Sequence, residues 1–246
     1  MKISVVVIAH NEEKHISRCI ESILSQTEKP NEVIVVIHNS NAKTLEIANN
    51  YKVTAIPYFT EEYGPIYPRI KGIEQADGDI ILCTDGDSLV SNNWIEVMTK
   101  TLTNNDNILI GSYVKISGTL FESISNIFNK YLCKTKNGKA VEWIWGASFG
   151  FGGKDKNFVL DVFRKIINYS KELKLQKGRI AEDYWLALYM NEKGNIEVTN
   201  KTSVTSFAQN ESIIDAIKRT NTNHKNGYLI KEFFKKNKTL IQYNYD

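Results

Sequence analysis

The sequence predicts an α/β fold whose central sheet is doubly wound and mostly parallel. Short β-branched runs, typical of buried strands, alternate with segments whose apolar residues recur at helical spacing. The first unit is a strand, a helix and a strand, and such units build parallel sheets through right-handed crossovers. The chain has 246 residues, which is long enough for a single α/β domain with a sizeable core.

The alternation is regular over the first 114 residues. Ile3 to Ile8 is a β-branched run that predicts a buried strand. Asn11 follows as a candidate helix N-cap, with Glu12 and Glu13 in the first turn, where the helix dipole favours acids. The other elements predicted here are strands over 33–37, 53–56, 80–84 and 108–114 and helices over 16–24, 44–50, 65–76 and 94–102.

The second half is less regular and predicts a smaller, mixed α/β part. Its expected helices cover 120–133, 158–169 and 182–190, and an aromatic, glycine-rich stretch covers 143–153. Neither an internal repeat nor a low-complexity linker divides the sequence. We therefore expect one domain over 1–214, with halves 1–114 and 115–214, followed by a basic amphipathic segment over 215–246.

Composition excludes several classes of protein. A net charge of +3 is too weak to indicate a nucleic-acid-binding protein. Cys19, Cys83 and Cys133 are odd in number and lack C-x-x-C spacing, so we expect reduced thiols rather than disulfides or zinc. The apolar start over 3–9 is too short for a signal peptide, and no run of about 18 apolar residues predicts a membrane span. We expect a cytoplasmic protein.

Two carboxylates follow the predicted strand over 80–84. In a doubly wound sheet, ligands bind beyond the carboxyl ends of the strands, so Asp85 and Asp87 can both reach one crevice. Their oxygens suit Mg²⁺ or Mn²⁺, and such a cation neutralises the charge of a departing diphosphate. Asp77 and Asp79 repeat the Asp-Gly-Asp pattern, which is also common turn chemistry, and we interpret them as a turn.

A second acidic pair, Glu182 and Asp183, stands in the first turn of a predicted helix. Acids are common there because they stabilise the helix dipole, so capping alone explains the pair. A carboxylate in this position is also suited to be the general base that takes a proton from an attacking hydroxyl. The residues themselves leave both interpretations open.

The order of these motifs resembles glycosyltransferase family 2, a group of inverting enzymes with the GT-A fold. Residues 4–13 read SVVVIAHNEE, similar to the family's SVVIPAYNEE opening, and residues 19–27 read CIESILSQT, similar to its CLESLLNQT helix. Arg69 to Ile73 with Ala76 to Asp79 is similar to ARNKGI…A.GD. Asp85-Gly86-Asp87 matches the D-x-D motif and Glu182-Asp183 the E-D motif. The resemblance covers residues 3 to about 200.

The resemblance implies a Rossmann-like nucleotide half followed by an acceptor half, and it implies a role for each matched residue. The donor nucleotide would contact Ile8, His10, Glu12, Arg69, Asp85 and Gly86. Asp87 would ligate Mn²⁺ or Mg²⁺, and Asp85 would hold the ribose and contribute to the metal site. Asp183 would be the general base, and Glu182, Trp145, Gly146 and Ala147 would face the acceptor.

The sequence departs from the family pattern after the second strand. The family usually reads VVDDGSTD there, whereas this chain has VVIHNSNA, with His38 in place of the second acid. His38 could hydrogen-bond a base through a ring nitrogen or be an ordinary loop residue. His10 replaces the usual tyrosine, and Ile8 replaces the usual proline. UDP is the nucleotide expected from the family, with GDP and dTDP left open by these changes.

The C-terminal segment has two interpretations. Family members often place basic residues here over the diphosphate, which makes Arg219 and His224 candidates, but a solvated basic helix would look the same. Apolar residues beside lysines over 228–238 suit either a helix lying on an anionic membrane or one docked on the core.

Trp143 and Trp145 could stack on an acceptor sugar or pack in the core.

The sequence therefore predicts an inverting, metal-dependent transferase that moves a sugar from a nucleotide diphosphate to a hydroxyl of a glycan, lipid-linked or protein-linked acceptor. The alternative is a catalytically silent protein of the same fold that binds a nucleotide or sugar. A nucleotidyltransferase would need a G-x-G-T-R loop after the first strand, and Ala9-His10-Asn11 does not supply it. A processive synthase would need a Q-x-x-R-W motif, which is absent.

Overall fold

A computed structural model describes residues 1–104, 107–117, 144–175, 181–207 and 213–236, with the side chains of 104, 107 and 213–224 excluded. The predicted helix over 120–133, Cys133 and Trp143 lie outside the described residues. The strands are β1 (Ile3–Ala9), β2 (Glu32–His38), β3 (Thr54–Tyr58), β4 (Ile80–Asp85), β5 (Ser88–Val90), β6 (Asn107–Ser117), β7 (Phe149–Gly152) and β8 (Asn195–Phe207). The helices are α1 (Ile16–Leu24), α2 (Ala42–Ala48), α3 (Ile66–Gln75), α4 (Trp94–Asn104), α5 (Lys156–Glu172), α6 (Glu182–Lys193) and α7 (Ile213–Lys236), and a short 3₁₀ turn (Gly153–Asp155) precedes α5.

All eight strands form one sheet in the order β3-β2-β1-β4-β7-β6-β8-β5. The first four are parallel, as the alternating pattern predicts. Every residue of β1 is buried, because helices cover both faces of the sheet. Val6 belongs to the cluster that includes residues of α3, α5 and α6, whereas Val5 and Val7 face α1 and α4. The predicted α/β class with a mostly parallel sheet is confirmed.

The strand register brings the carboxyl ends of β1, β2 and β4 to one edge. Ile8 pairs with Asp85, and Ala9 pairs with Ile37. The loops that follow these strands therefore open on the same side of the sheet, where doubly wound folds bind their ligands.

One detail of the first half differs from the sequence prediction. Helix α1 begins at Ile16 with His15 as its N-cap, so the predicted cap at Asn11 is wrong. Asn11 has a left-handed φ of 56°, and its side-chain oxygen accepts a bond of 2.9 Å from the amide of Asn41. Asn11 thus joins the loops after β1 and β2 instead of starting a helix.

The second half completes the same sheet with strands that the sequence did not predict. β7 runs antiparallel between β4 and β6, so the predicted strand over 108–114 is present but is separated from β4. β8 runs parallel to β6 and carries β5 at the sheet edge. This pairing matters for the site, because the end of β8 meets the loop after β4.

Helix α7 is docked on the second half through its last turns. Ile230 and Phe234 are buried. The ring of Phe233 lies 4.7 Å from that of Tyr169, and the ring of Phe234 lies 5.3 Å from that of Tyr189. These contacts favour the docked interpretation of the C-terminal segment. Among the described residues, no helix is both long and apolar enough to cross a lipid bilayer.

Candidate active site

A cavity of about 270 Å³ opens at the carboxyl edge of β1, β2 and β4. Seven residues predicted from the sequence line it: Ile8, His10, Glu12, His38, Asp85, Gly86 and Asp87. Tyr63, Gly64, Pro65 and Pro68 also line it. The strand ends thus gather the predicted donor-side residues, apart from Arg69, around one space.

The Asp-Gly-Asp turn is held against β1 by its glycine. The amide of Gly86 donates to the carbonyl oxygen of Ile8 at 2.8 Å. A Cβ at residue 86 would lie 2.9 Å from the Cβ of Ala9, closer than two carbons can approach without a shift. Glycine therefore allows the turn to fold over β1, which places Asp85 and Asp87 on the same cavity.

Asp87 carries an unfavourable charge in this position. Burial raises the pKa of Asp87 to about 7, and the neighbouring carboxylates of Asp85 and Glu12 add to the rise. The hydroxyls of Ser88 and Ser206 lie 3.2 and 3.3 Å from its two oxygens and partly offset the effect. A cation would relieve the repulsion among these carboxylates.

The donor set suits a hard divalent cation that is held only partly by protein. Carboxylate oxygens are the ligands that Mg²⁺ and Mn²⁺ prefer, and Mg²⁺ commonly binds through one or two carboxylates plus phosphates and water. In the described part of the chain, no three His, Cys, Asp or Glu side chains are grouped to hold a metal by themselves. Asp87 and Asp85 would therefore hold such an ion together with ligands from outside the protein.

The cavity lining also contains aromatic rings. Nδ1 of His10 lies 2.8 Å from the carbonyl oxygen of His38 and donates to it, which fixes the orientation of the His10 ring. The ring of Tyr63 lies edge-on to His10, with centroids 6.2 Å apart. The cavity lining thus combines aromatic rings with carboxylates.

Arg69 lies behind the cavity wall and bridges two carboxylates. It is 2% exposed, and its Nη2 donates to Oδ1 of Asp85 at 2.6 Å while its Nη1 donates to Oε1 of Glu182. Burial disfavours its charge, yet Asp85 and Glu182 outweigh burial and raise the pKa of Arg69. The geometry places Arg69 as a link between the Asp-Gly-Asp turn and α6.

The Glu182-Asp183 pair meets this link at the start of α6. Burial raises the pKa of Glu182 to about 7, against the opposing effect of Arg69, and Asp183 raises it further. The amide of Gly146 donates to Oδ2 of Asp183 at 3.2 Å. A Cβ at residue 146 would lie 2.8 Å from Nη2 of Arg69, so only glycine lets the backbone lie on the guanidinium. The two acidic motifs thus meet around one arginine.

The remaining predicted residues lie beside the cavity or outside the description. Trp145, Gly146 and Ala147 do not line the cavity, although the carbonyl oxygen of Ala147 accepts a bond of 2.8 Å from the hydroxyl of Thr84 in β4. Trp145 is half-buried against both core clusters. Arg219 and His224 belong to α7, but their side chains lie outside the described residues.

Two functional candidates escaped the sequence analysis. Ser206 reaches Asp87 only because β8 pairs with β5, and β8 was not predicted. Tyr63 lines the aromatic end of the cavity from the segment between β3 and α3. The only sequence signal for that segment was the Gly64-Pro65 pair, which is typical of a turn.

Comparison with known proteins supports the family resemblance. A sequence model of the family described as Glycosyl transferase family 2 matches residues 4–163. The glucosyl-dolichyl phosphate glucuronosyltransferase of Haloferax volcanii is 30% identical over 120 residues, which are 46% of this chain and 38% of that protein. In this and the other curated relatives that it matches, the chain spans less than half of the relative's length.

Solved structures show the fold. Residues 1–349 of S. aureus TarS, in complex with UDP-GlcNAc, superpose with a TM-score of 0.60 at 19% identity, covering 86% of this chain and 60% of that one. The mannosyltransferase PcManGT of Pyrobaculum calidifontis, in complex with GDP-Man and Mn²⁺, gives a TM-score of 0.66 at 16% identity, covering 89% and 60%. Both neighbours are GT-A enzymes, so the predicted GT-A fold is confirmed.

Proposed function

The chain belongs to glycosyl transferase family 2, since the family match spans more than half of its length, and from this premise we propose an activity. The protein transfers a sugar from a nucleotide diphosphate to an acceptor hydroxyl with inversion at the anomeric carbon. The observation that carries the proposal is the bridge of Asp85, Arg69 and Glu182, which joins the cavity at the strand ends to a second acidic pair.

The donor occupies the cavity with its base at the His10 and Tyr63 end and its diphosphate near Asp87. Asp87 and Asp85 would hold Mn²⁺ or Mg²⁺, which would supply the positive charge that stabilises the diphosphate leaving group. Support comes from the neighbours, one of which was solved with UDP-GlcNAc and another with GDP-Man and Mn²⁺. A UDP-sugar is the donor we propose, and Arg219 and His224 remain proposed diphosphate contacts.

Asp183 takes the proton from the acceptor hydroxyl as its oxygen attacks the sugar from the face opposite the diphosphate. The amide of Gly146 orients Oδ2 of Asp183, and Tyr184 donates its amide to Oδ1 at 2.9 Å. The acceptor enters beside Trp145, Gly146 and Ala147. A glycan or a lipid-linked or protein-linked sugar suits this role, and the name of the H. volcanii relative includes a dolichyl phosphate.

Exchanging Asp183 for asparagine tests the assignment of the base. Asp183→Asn keeps the shape of the side chain but removes its basicity, so we expect the rate of transfer to fall by about 10²–10⁴-fold. Binding of UDP with Mn²⁺ should stay within about threefold of the wild type, because Asp183 does not line the cavity. Single-turnover transfer from radiolabelled UDP-sugars and calorimetry with UDP measure the two quantities.

The rival candidate is a silent nucleotide-binding protein, which the loss of both acids after β2 favours. Hydrolysis of UDP-sugars by the wild type in Mn²⁺, compared with EDTA, separates the candidates. Metal-dependent release of UDP supports the enzyme. Tight binding of UDP without turnover of any donor or acceptor would leave only the silent protein.

A further inference from the structure

The turn that precedes β7 is held in place by a buried threonine of β4. Residues 145–148 form this turn, in which the amide of Ser148 donates to the carbonyl oxygen of Trp145 at 2.9 Å. Thr84 donates its hydroxyl to the carbonyl oxygen of Ala147 at 2.8 Å. Thr84 is fully buried and Ala147 is 8% exposed, so water does not replace this bond when it is lost.

A second anchor reaches the same turn from α4 and β6. The indole Nε1 of Trp94 donates to the hydroxyl of Ser148 at 2.9 Å, and the hydroxyl of Ser112 lies 2.5 Å from that of Ser148. All three side chains are fully buried. Apolar side chains would pack here without needing partners, so the hydroxyls contribute geometry rather than burial. The turn is therefore fixed at two consecutive residues.

The turn in turn presents a backbone amide to the proposed base. The amide of Gly146 donates to Oδ2 of Asp183 at 3.2 Å. Gly146 also lies on the guanidinium of Arg69, which bonds to Asp85, the residue that follows Thr84 in β4. Because the turn carries this amide, its position helps to set the orientation of the Asp183 carboxylate.

The inference rests on the proposed function, in which Asp183 is the general base. We propose that Thr84 is a positioning residue, which holds the 145–148 turn so that the amide of Gly146 orients Asp183 toward the acceptor hydroxyl. Thr84 does not line the donor cavity, so it acts through the turn and not on the donor. Proton transfer depends on a well-placed carboxylate, so the chemical step should depend on Thr84 whereas donor binding should not.

Release of UDP from UDP-sugars by the full chain with Mn²⁺, with water as the acceptor, tests the proposal. Thr84→Val keeps the shape of the side chain but removes its hydroxyl. We expect kcat to fall about tenfold, since a shift of about 1 Å in a site can cost about 10²-fold. The KM for the donor should stay within about threefold of the wild type. Rates are expressed per folded molecule, counted by calorimetric titration with UDP.

Two further variants separate positioning from a general loss of stability. Thr84→Ser restores the hydroxyl and should return kcat to within about threefold of the wild type. Thr202→Val is the matched control, because Thr202 is 5% exposed and donates to Oδ1 of Asn93 at 3.0 Å, outside the cavity. Its kcat should equal that of the wild type. If Thr84→Val does not fold, Thr84→Ala serves in its place.

A wild-type kcat in the folded Thr84 variant, a change in KM alone, or a loss that Thr84→Ser does not restore would overturn the inference and leave the proposed function standing. A loss in Thr84→Val without any loss in Asp183→Asn would also overturn it, since the hydroxyl would then act without the base. If the folded wild type turned over no UDP-sugar with any acceptor, the proposed function would fail and this inference with it.

Discussion

At the scale of single residues, the two acidic motifs carry negative charge that the fold neutralises only in part. Asp87 and Glu182 both have pKa values raised to about 7, chiefly because they are buried. Arg69 compensates Asp85 and Glu182 but does not bond to Asp87. Buried carboxylates of like charge stabilise the fold less than neutral side chains would. Groups with such shifted pKa values are common at ligand-binding sites.

This charge makes stability depend on pH. The pKa values of Asp87 and Glu182 lie above their ordinary values of 3.8 and 4.5, so the folded state binds more protons than the unfolded one up to about pH 7. The free energy of unfolding should therefore fall as the pH rises from about 5 to 7 and then level off. The fall amounts to about 1.4 kcal/mol per pH unit for each group that stays protonated in the folded state. Urea unfolding in EDTA measures this slope.

Asp87→Asn should make that slope shallower, since its amide does not ionise. Asp77→Asn is the matched control, because Asp77 belongs to the other Asp-Gly-Asp turn and is exposed, and its pKa is lowered by its bond to Lys2. Asp77 stays ionised across the tested range, so its variant should keep the wild-type slope. Identical slopes for the wild type and Asp87→Asn would show that Asp87 ionises freely.

At the scale of the elements, the segment before β7 depends on one glycine. Gly146→Ala would bring a Cβ within 2.8 Å of Nη2 of Arg69, which is buried and held at both ends, so the guanidinium has no room to yield. We expect a loss of about 1–3 kcal/mol in stability and slower transfer, because the amide that orients Asp183 must shift. Urea unfolding and single-turnover kinetics measure the two effects.

Gly227→Ala is the control for that substitution. Gly227 lies within α7, and a Cβ there would meet nothing within 4 Å. Alanine should therefore stabilise the helix by about 0.5–1 kcal/mol. If the two alanine variants changed stability in the same direction and to the same extent, close packing on Arg69 would not be what residue 146 requires.

The elements also show what the sequence could and could not predict. β1 and β2 are buried on both faces, so their apolar runs predict them directly. β7 has only four residues, two of them glycine, and β8 alternates buried Ile196 and Val198 with polar residues around Lys201. Neither strand produces an apolar run, because β7 gains its stability from its two neighbours in the sheet and β8 is partly exposed.

The same limit applies to the candidate site. Asp85, Asp87 and the Glu182-Asp183 pair were predicted because each follows a recognisable strand end or begins a helix. The bridging position of Arg69 was not, since its partners lie 16 and 113 residues away and no local pattern joins them. Asp183 and the acceptor-side residues stay predictions that the proposed experiments test.

At the scale of the whole molecule, Arg69 connects the first half of the chain to the second. Asp85 ends β4, a strand of the parallel part of the sheet. Glu182 begins α6, which packs on the strands of the second half. Removal of Arg69 leaves the negative charges of Asp85 and Glu182 without their partner. Breaking a buried ion pair in this way typically lowers stability by about 3–5 kcal/mol. The bridge therefore holds the Asp-Gly-Asp turn and the start of α6 in one arrangement.

Arg69→Met tests this connection. We expect a loss of about 3–5 kcal/mol in stability that is larger at pH 8 than at pH 6, because without Arg69 the pKa of Glu182 rises further and protonation relieves the unpaired charge in acid. Arg164→Met is the control: Arg164 also contacts two carboxylates, of Glu74 at 3.0 Å and Asp161 at 3.2 Å, but its side chain is 54% exposed. Such surface pairs contribute about 0–1 kcal/mol, with little dependence on pH over this range. Equal losses in the two variants, measured by urea unfolding at both pH values, would mean that Arg69 acts as an ordinary ion pair and that the two acidic motifs are held together by packing alone.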